Sequence, residues 1–306
     1  MKKIKTVAIL GAGAMGAAYA AKFFDASSFS TALVARDSRY DRLVEQGFIV
    51  NGKQYFIPVV HPDESLDPYD LIVVALKNHH LAEAVPDLKN LVGEDTTIIS
   101  VMNGLDSEAY LASFYGMDKV LYAISLGIDA VREGNSVTYT NPGKILFGQA
   151  DNSQPSELAQ RVGEALETAQ IAHEIPLDMI RMLWWKFMIN VGVNQASAVM
   201  RAPYGVFQTS RDAQALTGDL MLEVIELAQH AGVNLKEQDL NEWGKILKTL
   251  SPQGKTSMLQ DIEARRKTEV EVFAGKVVHL GESYGIPTPV NKTLLRIIKV
   301  LEQSQV

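Results

Sequence analysis

The sequence predicts an α/β fold in two parts, a first half wound as alternating strands and helices around a parallel sheet and a second half made of helices alone. Three observations predict it. The apolar run Val7-Ala8-Ile9-Leu10 passes directly into Gly11-Ala12-Gly13-Ala14-Met15-Gly16 and then into Ala17, Ala18, Ala20, Ala21 and Phe24, which reads as a buried strand turning at glycines into a helix. Short apolar runs recur at 30–35, 71–76 and 96–102, as strands separated by helices would. From Pro176 onward the period is helical, with long blocks at 179–200, 213–231 and 257–284, the last stopped by Gly285-Ile286-Pro287. At 306 residues the chain exceeds what one compact core usually holds, so the halves are expected as domains of residues 1–175 and 176–306.

Each glycine of the first turn has its own task in such a unit. Gly11 permits the tight turn, Gly13 lets the backbone approach a pyrophosphate, and Gly16 lets the helix lie close on the strand. Ala12, Ala14 and Met15 complete the loop, and the helix N-terminus offers free N–H groups to phosphates. The first half is therefore expected to be a Rossmann-type dinucleotide-binding domain. Its second strand ends at Arg36, with Asp37, Ser38 and Arg39 behind. An acidic side chain there would accept from the adenosine ribose hydroxyls, whereas an arginine pairs with a 2′-phosphate, so Arg36 points to NADP(H). Asp37 weighs the other way, and the plain alternative for Arg36 is a solvated turn charge.

Residues 47–57, with Asn51-Gly52 between apolar runs, read as a hairpin inserted into the wound sheet. The run 71–76 is apolar on both faces, hence a buried parallel strand, and it delivers Lys77 beyond its carboxyl end, where ligands of open α/β sheets bind. His79 and His80 follow without acidic or cysteine partners at ligand spacing, so they are read as surface or capping residues and no metal is expected. The strand at 96–102 ends at Asn103-Gly104, whose amide can both donate and accept, towards a carboxamide, a ribose or a substrate oxygen. Runs at 120–125, 136–140 and 145–148, the last two separated by Asn141-Pro142-Gly143, supply further strands, and the sheet ends at 171–175. No low-complexity linker divides the halves, so a packed junction is expected, with the active site in the cleft across it.

The net charge of -7 gives no general reason to bind nucleic acid or an anionic membrane. With no cysteine, disulfides, thiolate metal sites and cysteine nucleophiles are excluded. The apolar segment after Lys2, Lys3 and Lys5 is too short for an export core or a membrane span, and a cytoplasmic protein is expected, with a second copy of the chain as a candidate partner in a homodimer.

Chemistry concentrates in the helical half. Lys186, Asn190 and Asn194 are offset by about 40° per step on a helix and form one stripe on an otherwise apolar segment, 183–194. Such a stripe meets water or a polar ligand, since each group buried unpaired costs about 1–3 kcal/mol. Asparagine is a poor helix former, and a solvated face ordinarily mixes Glu, Lys and Gln, so the stripe is read as functional. Further on, Arg265-Arg266-Lys267 is most simply a solvated face, while Glu269 lies among Val270, Val272 and Phe273. On one continuous helix Ser257 and Glu269 would be about 18 Å apart. Either Ser257 then belongs to a loop that folds back, or the two contact different parts of an extended cofactor and substrate.

Together these residues resemble the ketopantoate reductase (2-dehydropantoate 2-reductase) family over essentially the whole chain. The landmarks are the glycine turn 11–16, Leu76-Lys77, Asn103-Gly104-Leu105, the Lys186-x-x-x-Asn190-x-x-x-Asn194 helix, Ser257-Met258-Leu259-Gln260-Asp261, Thr268-Glu269, and the closing 285–289. The resemblance implies a C-terminal all-α domain like those of 6-phosphogluconate-dehydrogenase relatives and NADPH-dependent reduction of 2-dehydropantoate to pantoate, in pantothenate and coenzyme A synthesis. It implies Lys186 as general acid, cofactor contacts from Gly11, Ala12, Gly13, Ala14, Met15, Gly16, Arg36, Lys77, Asn103 and Glu269, and substrate contacts from Asn103, Asn190, Asn194 and Ser257. Reduction of a ketone needs a proton for its oxygen, and a charged lysine supplies one. Gln195 stands where the family commonly has Pro, Met102 where a polar residue is usual, and 125–130 departs from the usual small-residue pattern. A different 2-oxo or 2-hydroxy acid therefore stays open, as does a non-catalytic NADP(H)-binding protein. A β-hydroxyacid dehydrogenase is disfavoured because no Ser-Gly-Gly occurs.

Overall fold

The computed structural model describes residues 3–64 and 67–304, which form two compact units, Met1–Met182 and Leu183–Val306. In the first, β1 (Thr6–Leu10) turns into α1 (Ala14–Asp25), followed by β2 (Ser30–Val34), α2 (Asp37–Gln46), β3 (Phe48–Val50), β4 (Lys53–Tyr55), β5 (Val59–Val60) and β6 (Leu71–Val74). A short helical stretch containing α3 (Leu81–Ala84) leads to β7 (Thr97–Ser100), α4 (Ser107–Tyr115), β8 (Val120–Leu126), β9 (Val131–Glu133), β10 (Ser136–Thr138), β11 (Lys144–Gly148), α5 (Glu157–Thr168) and β12 (His173–Glu174).

The main sheet has the order β12-β11-β8-β7-β6-β1-β2-β5. From β8 to β5 all pairings are parallel, and counted within those six the order is 3-2-1-4-5-6 seen from β5, the doubly wound arrangement of a Rossmann sheet. Successive side chains on a strand face opposite ways, so Val7 and Ile9 enter one core with Phe23 of α1 and Leu166 of α5, while Ala8 and Leu10 enter the other with Leu88 and Leu111.

The hairpin expected at 47–57 forms, turning at Asn51 and Gly52 with positive φ, but it does not join the main sheet. It belongs to a second sheet of order β4-β3-β10-β9, in which β3 runs parallel to β10. The cause is a partner distant in sequence: Ile49 N–H donates to Asn135 O at 2.9 Å and Asn51 N–H to Val137 O at 2.9 Å, which satisfies the β3 edge away from β4.

The second unit is helical. The helix α6 (Met179–Ile189) begins in the first unit and continues through a π turn (Asn190–Asn194) into α7 (Gln195–Met200), a run of the length expected from the sequence. It is followed by α8 (Tyr204–Thr209), α9 (Arg211–His230), α10 (Gln238–Leu247), α11 (Ser257–Glu263), a second π turn (Glu271–Gly275), α12 (Lys276–Tyr284) and α13 (Pro289–Gln303). The expected single helix over 257–284 is broken: α11 ends at Glu263, Arg265 takes a φ of 51°, and Arg266 turns back to Asp261, its N–H on Asp261 O at 2.8 Å and its Nε on Asp261 Oδ1 at 3.0 Å. Among the described residues no helix is long and apolar enough to cross a membrane.

Candidate functional site

Four neighbouring strands of the first unit end on one level. Leu10 is in register with Val34 and with Val74, and Val74 with Ser100. Beyond that row the chain carries Gly11–Gly16 after β1, Arg36 two residues past β2, Lys77 three past β6 and Asn103 three past β7. The fold thus brings every first-unit candidate to the carboxyl edge of the sheet, around the switch point between β1 and β6 where the strand order reverses.

The glycines behave as their spacing predicts. Gly11 has a φ of 104°, and a Cβ there would stand 2.7 Å from Ala75 O. A Cβ at Gly16 would overlap the Gly11 carbonyl and come within 3.1 Å of the Ala75 Cβ. At Gly13, the exposed N-cap of α1, a Cβ would meet nothing nearer than Ala75 O at 4.0 Å. Of the three glycines in the turn it alone has open space in front, the approach that a phosphate group needs. Lys77 and Asn103 are half-buried. His79 is exposed, and its ring lies 4.2 Å from that of His80, which in turn faces Arg39.

Arg36 is ion-paired while its side chain stays partly exposed, so it is neither a free phosphate receptor nor a lone turn charge. Its Nε donates to Asp87 Oδ2 at 3.0 Å and its Nη2 to Asp87 Oδ1, a two-pronged pair with a side chain 51 residues away. Burial raises the Asp87 pKa and Arg36 opposes that shift, leaving it above the ordinary value. Sequence reasoning missed Asp87 because nothing local links it to the end of β2.

In the second unit the stripe is real and mostly withdrawn from water. Lys186 is 9% exposed and Asn194 5%. Asn194 Nδ2 donates to Asn190 Oδ1 at 3.2 Å and lies 3.4 Å from Ser257 Oγ, so Asn190, Asn194 and Ser257 meet. Two local features place them. The π turn widens the helix between the two asparagines, which counters the drift of about 40° per four residues in an α-helix. Thr256 caps α11 through Leu259 N–H at 3.2 Å, which sets Ser257 as its first residue. Asn190 Nδ2 is buried and has no hydrogen-bond partner among the described residues, so a donor stands ready for an acceptor. Glu269 is 5% exposed and follows Thr268, which is held through its N–H and hydroxyl by Glu302 Oε1 at 2.8 and 2.6 Å. Because α11 stops at Glu263, the 18 Å separation expected of one helix does not apply to Ser257 and Glu269.

Gln195, the departure beside the stripe, is fully buried. Its Nε2 donates to Val191 O at 2.7 Å and to Asn291 Oδ1 at 3.0 Å. Asn291 Nδ2 donates to Glu223 Oε2 at 2.7 Å, and the same carboxylate accepts the N–H groups of Val290 and Asn291 at the start of α13. A polar network thereby ties α7, α9 and α13 behind the stripe, a role that the sequence pattern did not reveal.

A 3-2-1-4-5-6 sheet with this glycine turn, followed by a helical unit bearing a buried lysine-asparagine stripe, defines a two-domain fold of the Rossmann class. The chain belongs to the ketopantoate reductase family: the profile described as Ketopantoate reductase PanE/ApbA matches residues 7–152, and that described as Ketopantoate reductase PanE/ApbA C terminal matches residues 178–302. The 2-dehydropantoate 2-reductase of Archaeoglobus fulgidus is 26% identical over 301 residues, covering 98% of this chain and 99% of that one. Its counterpart in Aquifex aeolicus is 24% identical over 302 residues, 96% of each. Among solved structures, a D-mandelate dehydrogenase with NADH and anilino(oxo)acetate has a TM-score of 0.89 at 20% identity, covering 98% of this chain and 99% of that one. A dimeric ketopantoate reductase from Staphylococcus aureus has a TM-score of 0.82 at 22% identity, covering 98% and 100%. These two structural likenesses are likenesses of fold.

Proposed function

We propose that this chain is an NADPH-dependent 2-oxo acid reductase that converts 2-dehydropantoate to pantoate. The observation that carries the reading is the largely buried stripe of Lys186, Asn190 and Asn194, with Asn194 reaching both Asn190 and Ser257, in a member of the ketopantoate reductase family. Gly11–Gly16, Arg36, Lys77, Asn103 and Glu269 would hold a nicotinamide dinucleotide, and the open approach at Gly13 fits such a group. When bound, that group supplies the reducing hydride.

The chain's own residues supply the proton and the orientation. The Lys186 ammonium polarises the carbonyl oxygen of the 2-oxo acid and gives it a proton as it becomes a hydroxyl, leaving a neutral amine that solvent reprotonates. Asn190, Asn194 and Ser257 bind hydroxyl and carboxylate oxygens as neutral groups, so they add no negative charge against an anionic substrate. Burial of the stripe lowers the local dielectric and strengthens each of these contacts.

A second reading, reduction of another 2-oxo acid with NADH, is favoured by the Asp87 carboxylate already engaging Arg36 and by the D-mandelate dehydrogenase fold likeness. The test is nicotinamide absorbance with purified protein, NADPH and NADH in parallel, against 2-oxo acids that include 2-dehydropantoate and an aryl 2-oxo acid. Turnover of 2-dehydropantoate with NADPH is expected. Preference for the aryl acid with NADH would establish the second reading, and dinucleotide binding without turnover of any acid would leave a binding protein.

A further inference from the structure

The second sheet sends one side chain into the glycine turn. Arg132 on β9 donates from Nη1 to the carbonyl oxygen of Ala12, and from Nε to Gly134 O at 3.0 Å in the turn that follows its own strand. The guanidinium is half-buried, and among the described residues it forms no ion pair. The charged group acting on it is another cation, Arg42 of α2, so burial and Arg42 both pull its pKa below the ordinary value. Arg42 likewise forms no ion pair among the described residues. A half-buried guanidinium with no ion pair, near a second and exposed arginine, is costlier than a solvated one unless an anion shares it.

Two of the five guanidinium N–H groups are used on carbonyl oxygens, which leaves three in a planar fork of the shape that suits phosphate oxygens. The turn it grips is the one with open space at Gly13 and the free N–H groups of the 12-residue helix α1. We propose that Arg132 is a phosphate-binding residue of the dinucleotide site, fixing the glycine turn through the Ala12 carbonyl and presenting the remainder of its guanidinium to the pyrophosphate. The inference rests on the reading that this turn binds a dinucleotide, and it adds a residue on a strand outside the main sheet.

A staple that merely ties the hairpin to the turn needs donors but no charge, and this separates the two roles. The experiment is titration calorimetry of the full chain with NADH, NADPH and ADP at several salt concentrations, for the unmodified protein, Arg132→Gln and Arg132→Lys, with melting curves alongside. Arg132→Gln is expected to weaken all three ligands by about tenfold to a hundredfold, as loss of a charge-assisted hydrogen bond implies. It should also flatten the salt dependence while leaving the NADPH to NADH affinity ratio unchanged. Arg132→Lys should restore the salt dependence. Binding by Arg132→Gln within about twofold of the unmodified protein and with the same salt dependence would overturn the proposal, as would weakening confined to NADPH, which would move the contact to a 2′-phosphate. If the unmodified protein binds none of the three, the dinucleotide reading itself fails.

Discussion

If Arg36 meets a 2′-phosphate, substitution of Asp87 is expected to shift the balance between NADPH and NADH. The Arg36 side chain is 42% exposed and that of Asp87 11%, and two hydrogen bonds join them. Solvent screens the exposed end, which keeps the pair within the range of surface ion pairs, while the two-pronged geometry puts it at the top of that range, about 1 kcal/mol. A 2′-phosphate that recruits Arg36 must first displace Asp87, whereas NADH, lacking that phosphate, leaves the pair intact. Asp87→Ala removes the competitor, and 1 kcal/mol corresponds to a factor of about five in an equilibrium constant. The ratio of the NADH to the NADPH dissociation constant, measured by titration, should therefore rise about fivefold in Asp87→Ala and by less in Asp87→Asn, which keeps one acceptor. An unchanged ratio, with both variants folded, would show that Arg36 does not meet a 2′-phosphate, and a fall in the ratio would reverse the role given to Asp87.

Four further outcomes are expected. Lys186→Ala should lower kcat by about 10²–10⁴-fold while dinucleotide affinity by titration stays near that of the unmodified protein; lost cofactor binding instead would refute the role of proton donor. Gly192→Ala puts a methyl 2.5 Å from Met221 Cε and 3.1 Å from Thr217 Cγ2, so about 1–3 kcal/mol of destabilisation and a raised KM for the 2-oxo acid should appear in denaturant melts and steady-state kinetics. Glu223→Gln turns an acceptor of three N–H groups into one that points a donor at some of them, and about 1–3 kcal/mol of stability should be lost. The pH dependence of Arg36→Ala follows from Asp87: burial, opposed by Arg36, holds its carboxyl above 3.8. Without Arg36 the folded chain binds that proton still more tightly than the unfolded chain does. The cost of the substitution is thus absent at low pH and complete above the folded pKa, so the melting midpoint should drop further at about pH 7 than at about pH 4.

What could be read from the residues was whatever local chemistry decides. The turn at Gly11–Gly16 and the apolar strands at β1, β2, β6 and β7 follow from φ requirements and from burial on both faces, and both are written in adjacent residues. That Lys186, Asn190 and Asn194 share one side of a helix was equally legible from their spacing, whereas the π turn that tightens their alignment was not. The break after Glu263 was not, because Ala264-Arg265-Arg266-Lys267 are good helix formers, and what stops the helix is Arg266 returning to Asp261 together with Glu302 taking the Thr268 N–H. The partners of Arg36 and Gln195, Asp87 and Asn291, lie 51 and 96 residues away. The pairing of β3 with β10 is likewise long-range. Such contacts are set by the tertiary fold and leave no mark in the local pattern.

A π turn is a helix that has accepted one residue more than its α-helical neighbours need, and this chain has one carrying both asparagines and another two residues after Glu269. That surplus makes the stripe adjustable by length as well as by side chain. Removing a single residue from 190–194 would let the helix close to regular α geometry while the residues after it keep nearly their present phase relative to Lys186, since the wide turn holds one residue more over about the same angle. With a residue lost between them, Asn190 and Asn194 would stand three apart, and their contacts with each other and with Ser257 would be re-aimed. Length is thus a second way to tune this helix, a one-residue gain or loss that re-aims its polar groups while the apolar contacts on either side keep their composition.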